Sequence, residues 1–210
     1  MKNIQVNGHP LTPSKIICIG RNYVGHIAEL NNEIPEEPVI FLKPNSAISD
    51  TVYAGSDTPI HYEGELCFVV RSGQLSAVGF GLDLTKRDVQ SRLKAKGLPW
   101  ERAKCFDGSA VFSEFVSFDG ELSELSMQLT INGEVVQQAT YELMMNKPQA
   151  ILDEVSEFLS LEDGDIIMTG TPQGVGVLNT GDEFVGQINA AGRCLLTQSW
   201  TVAAPMQRVS

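Results

Sequence analysis

The chain is short of positive charge and of the residues that announce several common chemistries. Fifteen Lys and Arg face 26 Asp and Glu in 210 residues, giving a formal charge of −11. A nucleic-acid partner would want a basic face, so the balance argues against one. Cys18, Cys67, Cys105 and Cys194 show no Cys-x-x-Cys spacing, and the chain has three histidines. Neither a disulfide framework nor a zinc knuckle is expected, and Cys18 and Cys67 sit in apolar runs like small buried hydrophobes. No apolar run approaches the length needed to span a bilayer, so no membrane partner is expected. The opening Met1–Gly8 has no apolar core of a secretory signal and reads as a strand before a turn, which fits a cytoplasmic protein. Repeats, low-complexity tracts and Pro/Gly/Ser-rich linkers are also missing. What remains is ordinary for a globular protein, 42% hydrophobic and 20% charged, and residues 1–210 are enough for one domain with a sizeable core.

The pattern along the chain is mostly strand. Ile16–Ile19 is a buried strand stopped by Gly20, and Pro38–Leu42 is a second ended by Lys43-Pro44. Asn132-Gly133 between 128–131 and 134–136 is a hairpin turn, because both residues tolerate positive φ. Ile166–Met168 and Phe184–Ile188 add further strands. A helix is expected over Lys86–Lys96, capped by Thr85 and closed by Gly97 with Pro99 beyond. Pro148 starts another, with Ile151, Leu152, Val155, Phe158 and Leu159 as its apolar stripe. A short helical piece is expected at His26–Leu30.

The segment 60–70 is a strand that runs into the interior yet carries Glu63 and Glu65. Alternation puts both carboxylates on one face, where they repel each other and resist desolvation. A divalent cation between them would remove both penalties, whereas a solvent-facing edge would leave two glutamates in water. Gly64 is consistent with a close approach of ligand or backbone. Asp83, just before the first long helix, is either a third oxygen ligand or a helix-entry acid. Three carboxylates without a cysteine or histidine pair suit Mg²⁺, Mn²⁺ or Ca²⁺ better than zinc.

Three further segments carry candidate chemistry. His26 and Glu29 lie three apart on one side of a helical turn, as a base oriented by a carboxylate or as a surface pair. Arg21 in the same segment either meets an anionic substrate or pairs with an acid of the protein. The turn Thr169-Gly170-Thr171-Pro172-Gln173-Gly174-Val175-Gly176 offers backbone N–H groups to an anion, or is a structural turn. It is no Walker A loop, since no Gly-Lys-Ser/Thr follows. Lys104 alone says little.

Taken in order, six pieces resemble the fumarylacetoacetate hydrolase family: Gly20-Arg21-Asn22-Tyr23…His26…Glu29, Phe41-Leu42-Lys43-Pro44, His61–Leu66, Leu82–Gln90, Gly97-Leu98-Pro99-Trp100…Lys104…Phe106-Asp107, and Gly164-Asp165…Thr169–Gly176. They run from about residue 15 to about 190. The chain looks most like the short branch that includes acylpyruvate hydrolases and oxaloacetate decarboxylases. The resemblance implies an α+β, predominantly β fold, a mixed sheet roll with a few short helices, usually a homodimer, with Mg²⁺ or Mn²⁺ in the site. It makes Glu63, Glu65 and Asp83 the metal ligands, His26 and Glu29 a water-activating dyad, and Lys104 the cation near a developing enolate. Arg21 keeps its anion-meeting role, and Arg87, Gln90 and Thr171 become candidates for gripping oxygens of a small 2-oxo acid. Gly25, Asn45 and Cys105 depart from the usual pattern without touching these groups. The implied chemistry is C–C hydrolysis of an acylpyruvate or decarboxylation of oxaloacetate through a pyruvate enolate. The alternative is isomerisation, tautomerisation or hydration of a 2-oxo acid on the same site.

Overall fold

The computed structural model describes residues 1–30, 33 and 35–206. Its elements are β1 (Lys15–Gly20), α1 (Val24–Glu29), β2 (Val39–Pro44), β3 (Gly64–Arg71), β4 (Gln74–Asp83), α2 (Arg87–Ala95), α3 (Glu101–Lys104), β5 (Ala110–Phe112), β6 (Leu125–Ile131), β7 (Glu134–Thr140), α4 (Pro148–Ser156), β8 (Ile166–Met168), β9 (Glu183–Ala190) and β10 (Arg193–Thr201), with shorter pieces between. The main sheet runs β2-β1-β8-β3-β4-β5 and ends on the short strand Ile48–Ser49. It is mixed: β8 lies parallel to β1 and antiparallel to β3. A second, antiparallel sheet runs β7-β6-β9-β10. The expected predominantly β, curled mixed-sheet architecture is what the chain forms.

The two sheets close on each other through alternating side chains. Leu66 and Phe68 of β3 and Val78, Phe80 and Leu82 of β4 meet Leu125, Met127 and Leu129 of β6 and Phe184 and Ile188 of β9. Farther along the same face, α4 lays Ile151, Leu152 and Val155 on Ile17, Ile19, Val70 and Ile167. Burying those three helical side chains contributes roughly 5–9 kcal/mol before chain entropy is charged. The opposite face buries Cys18, Cys67, Val69, Ala77 and Met168. All four cysteines are free.

The turn chemistry follows the expectations closely. Asn132 (φ 50) and Gly133 (φ 86) both sit at positive φ in the β6–β7 hairpin, and Gly97 (φ 61) closes α2. Three details differ. Thr85 does not cap α2: Lys86 holds that position with no side-chain cap bond. The Thr85 hydroxyl instead accepts a hydrogen bond from Lys104 Nζ (2.6 Å), because a buried ammonium is the more demanding partner. Phe158 is 64% exposed, since α4 stops at Ser156 and the helical period no longer governs its direction. The glutamate strand breaks at Glu63, and its first part, His61–Tyr62, pairs with Gly176–Val177.

Candidate active site

Strand register assembles the site. Glu65 pairs with Gly81, and the Asp83 N–H donates to the Glu63 carbonyl (2.9 Å). Glu63, Glu65 and Asp83 therefore share one face of the main sheet, all buried, each with a carboxylate oxygen within 4.8 Å of the others. Lys43 reaches the same face, because β2 pairs with β1 so that Phe41 lies beside Cys18 and Lys43 beside Ile16. Gly64, between the two glutamates, faces the other way. A Cβ there would lie 2.9 Å from Gln137 Oε1 and from Phe80 Cζ, so the glycine serves the packing of the second sheet, not a ligand.

Three cations face the three acids, all of them on Glu63 and Asp83. Lys104 Nζ donates to Glu63 Oε2 (2.8 Å) and Asp83 Oδ2 (2.6 Å). Arg87 closes on Glu63 Oε1, and Lys43 Nζ stands 2.8 Å from Asp83 Oδ1. That last contact is an ion pair without hydrogen-bond alignment, since Asp83 Oδ1 accepts no bond among the described residues. The Lys43 ammonium points instead at the carbonyls of Lys104 and Leu84. Burial pushes the Glu63 carboxyl up, but Lys104 and Arg87 outweigh it and hold the group far below the usual carboxylate range. Burial works against the Lys104 ammonium, and Asp83 and Glu63 overcome it, so its pKa is raised. Glu65 is the exception: burial, then the Asp83 and Glu63 charges, drive it well above its ordinary value. Its carboxylate accepts one backbone bond, from Gly170 N–H (2.7 Å).

A divalent cation fits this arrangement. Three buried oxygen donors converge, Glu65 is crowded by the negative charges of Asp83 and Glu63 that a cation would offset, and Asp83 Oδ1 accepts no hydrogen bond among the described residues. All-oxygen donor sets suit hard ions.

Facing the acids, a cavity of about 30 Å³ is lined by Arg21, His26, Glu63, Asp83, Arg87, Gln90, Lys94, Lys104 and Thr171. Helix α1 carries His26, which is buried, and its Nδ1 lies 3.1 Å from Glu29 Oε2. Glu29 Oε1 accepts the Gly174 N–H (2.9 Å). The glycine-rich turn thus binds the protein's own carboxylates, Glu65 through Gly170 and Glu29 through Gly174. Gln90 accepts from Arg87 through Oε1 (2.8 Å). The Thr171 hydroxyl is already used, donating to the Gly64 carbonyl (2.9 Å) and accepting from Gln137 Nε2 (2.8 Å). All ten expected site residues are drawn to this one region, nine as lining or as members of the acid cluster and Glu29 through His26.

Family comparison agrees with the geometry. The family described as Fumarylacetoacetate (FAA) hydrolase C-terminal matches residues 15–197. The chain belongs to this family. An oxaloacetate tautomerase of Escherichia coli is 39% identical over 81% of this chain and 86% of that protein. A mitochondrial oxaloacetate tautomerase of Homo sapiens is 36% identical over 90% and 92%. A fumarylpyruvate hydrolase of Pseudomonas aeruginosa, solved with Mn²⁺ and pyruvate, superposes with a TM-score of 0.86 at 27% identity over 97% and 96% of the two chains. The fumarylacetoacetate hydrolase fold and enzyme class are thereby shown for this chain. The sequence did not single out Lys43, which contacts Asp83, or Lys94, which lines the cavity. Lys43 carried one signal, a lysine in a strand between apolar residues and proline.

Proposed function

We propose that the chain interconverts the keto and enol forms of a dicarboxylic 2-oxo acid such as oxaloacetate. The carrying observation is that Lys104, fixed among Glu63, Asp83 and Thr85, shares its cavity with His26, whose Nδ1 is held by Glu29. Proton transfer next to a carbonyl needs a base for carbon and an acid for oxygen, and these are the two groups. With Nδ1 engaged by Glu29, His26 presents Nε2 as the base. It takes the proton from C3, the C–H electron pair becomes the C2–C3 double bond, and the carbonyl oxygen receives a proton from Lys104. Glu29 orients the imidazole and offsets the charge it gains.

Glu63, Glu65 and Asp83 are the residues that would hold Mg²⁺ or Mn²⁺. When bound, the ion would supply a Lewis acid for the oxygens of the 2-oxo acid. With all three carboxylates ionised, Lys43, Lys104 and Arg87 balance the cluster to neutrality. A divalent ion would raise it to two positive charges, the complement of a dianion. The two tautomerase relatives, matched over most of their length, support this reading over hydrolysis. The second reading, hydrolysis of an acylpyruvate, is favoured by the same His26–Glu29 pair acting on water and by the resemblance to the fumarylpyruvate hydrolase.

Proton NMR separates the two. Faster enol–keto conversion of oxaloacetate without fragments supports the tautomerase, with His26→Ala reducing the rate about 10²–10⁴-fold. Pyruvate and acetate from acetylpyruvate, without effect on the oxaloacetate enol, would give hydrolysis instead. Neither reaction would overturn both.

A further inference from the structure

The cavity that faces the acids is lined largely by charged and polar groups, but one of its walls is aromatic. Phe41 stands on β2 two residues before Lys43, so strand alternation gives both side chains the face of the acid cluster. Trp100 immediately precedes α3, and its carbonyl accepts the Lys104 N–H (3.0 Å). One helical turn thus brings the indole and the Lys104 ammonium to the same side. The Phe41 and Trp100 rings meet with 5.6 Å between centroids, and Lys104 Nζ lies 5.1 Å from the Phe41 centroid. Trp100 is also seated on β1, since a Cβ added to Gly20 would touch Trp100 Cζ3 at 3.6 Å and Val39 Cγ1 at 3.5 Å. The pair is packed on both sides and stands as a wall, not as a loose flap.

Behind this wall lies a second space. A groove of about 470 Å³ is bounded by Val39, Ile40, Leu42, Leu98 and Pro99, and it shares Phe41, Trp100 and Lys104 with the cavity. Leu42 and Leu98 are exposed at its rim. The cavity itself is only about 30 Å³, so a longer substrate chain needs space from outside it, and this groove is apolar space directly beside it. We infer that Phe41 and Trp100 set the length of the 2-oxo acid the site accepts, with Trp100 the specificity-determining residue. Cutting back the indole joins cavity and groove, and the groove then takes the apolar chain of a longer 2-oxo acid. This rests on the reading that the 2-oxo end of the substrate lies at the acid cluster. Trp100 is half-buried, and its backbone bonds to Ala103 and Lys104 do not depend on its side chain, so its replacement leaves Lys104 in place.

The test compares 2-oxobutanoate with 2-oxooctanoate, monocarboxylic acids that differ only in chain length, by calorimetric titration of the whole chain in Mg²⁺. The wild type is expected to bind 2-oxobutanoate more tightly. Trp100→Ala is expected to tighten 2-oxooctanoate about tenfold, the worth of about two buried methylenes, and to change 2-oxobutanoate less than about twofold. The milder Trp100→Leu should move the same way with a smaller gain. Adding Leu98→Asp to Trp100→Ala puts a charge beside the chain in the groove and should remove the gain. A wild type that binds the longer acid as tightly as the shorter, no gain in either Trp100 variant, or a gain that survives Leu98→Asp would overturn the inference and leave the proposed reaction standing. Binding of neither acid by the wild type would overturn both.

Discussion

Replacing Lys43 by Met tests whether the charge balance under the site holds the fold together. Lys43 is 0% exposed, so its ammonium has given up all its water. Its 2.8 Å contact with Asp83 is worth roughly 6 kcal/mol in Coulomb energy at an effective dielectric constant of about 20. Most of that offsets desolvation, and removing one partner of a buried pair typically costs about 3–5 kcal/mol. Asp83 keeps Lys104 on its other oxygen, and the Lys104 carbonyl keeps the Ser109 hydroxyl (2.8 Å), which places the expected loss near the low end, about 3 kcal/mol. For a chain of this size that lowers Tm by about 6–12 °C. Urea unfolding of metal-free protein checks it, with a lower midpoint and an unchanged slope. A loss below about 1 kcal/mol would show that Lys43 does not stabilise the acid cluster and would refute the reasoning.

Two other predictions concern the frame. Asp165 is buried and accepts from the backbone N–H groups of Ser14, Lys15 and Glu162 and from the side chains of Ser14 and Lys15. Burial raises its pKa, but those bonds win and hold it below its ordinary 3.8. A depressed folded pKa gives stability that is present at neutral pH and lost as pH falls from about 4 toward the folded value. Asp165→Asn should therefore be less stable than wild type at pH 7, with the gap narrowing below about pH 4 in chemical denaturation; a gap that stays constant would contradict the assignment. Gly64→Ala should cost about 1–3 kcal/mol, because the added methyl meets Gln137 and Phe80 at 2.9 Å. Unchanged thermal stability would show that the two sheets yield there.

Much of this arrangement was legible because local chemistry dictated it. Asn132-Gly133 permits positive φ, the stripe on α4 has a helical period, and Glu63 and Glu65 share a face by strand alternation alone. What stayed hidden depends on which strands lie side by side. Lys43 belongs to the site because β2 pairs with β1, β1 with β8 and β8 with β3 in a register that puts it on the face of the glutamates. Alternation within one strand carries no such information. Thr85 had a legitimate capping position and lost it to a buried lysine nineteen residues later. Phe158 continued an apolar pattern that the helix itself did not continue. For the glycine-rich turn the sequence left an anion site and a structural turn open, and only the fold could show that its N–H groups meet the chain's own Glu65 and Glu29.

The most direct measurement is the rate at which oxaloacetate enol disappears when metal-free protein is titrated with Mn²⁺. The account predicts a rate that climbs with Mn²⁺ and saturates near one ion per chain, and no metal-dependent gain in Glu65→Gln. A full rate in metal-free protein, or an undiminished response in Glu65→Gln, would contradict it.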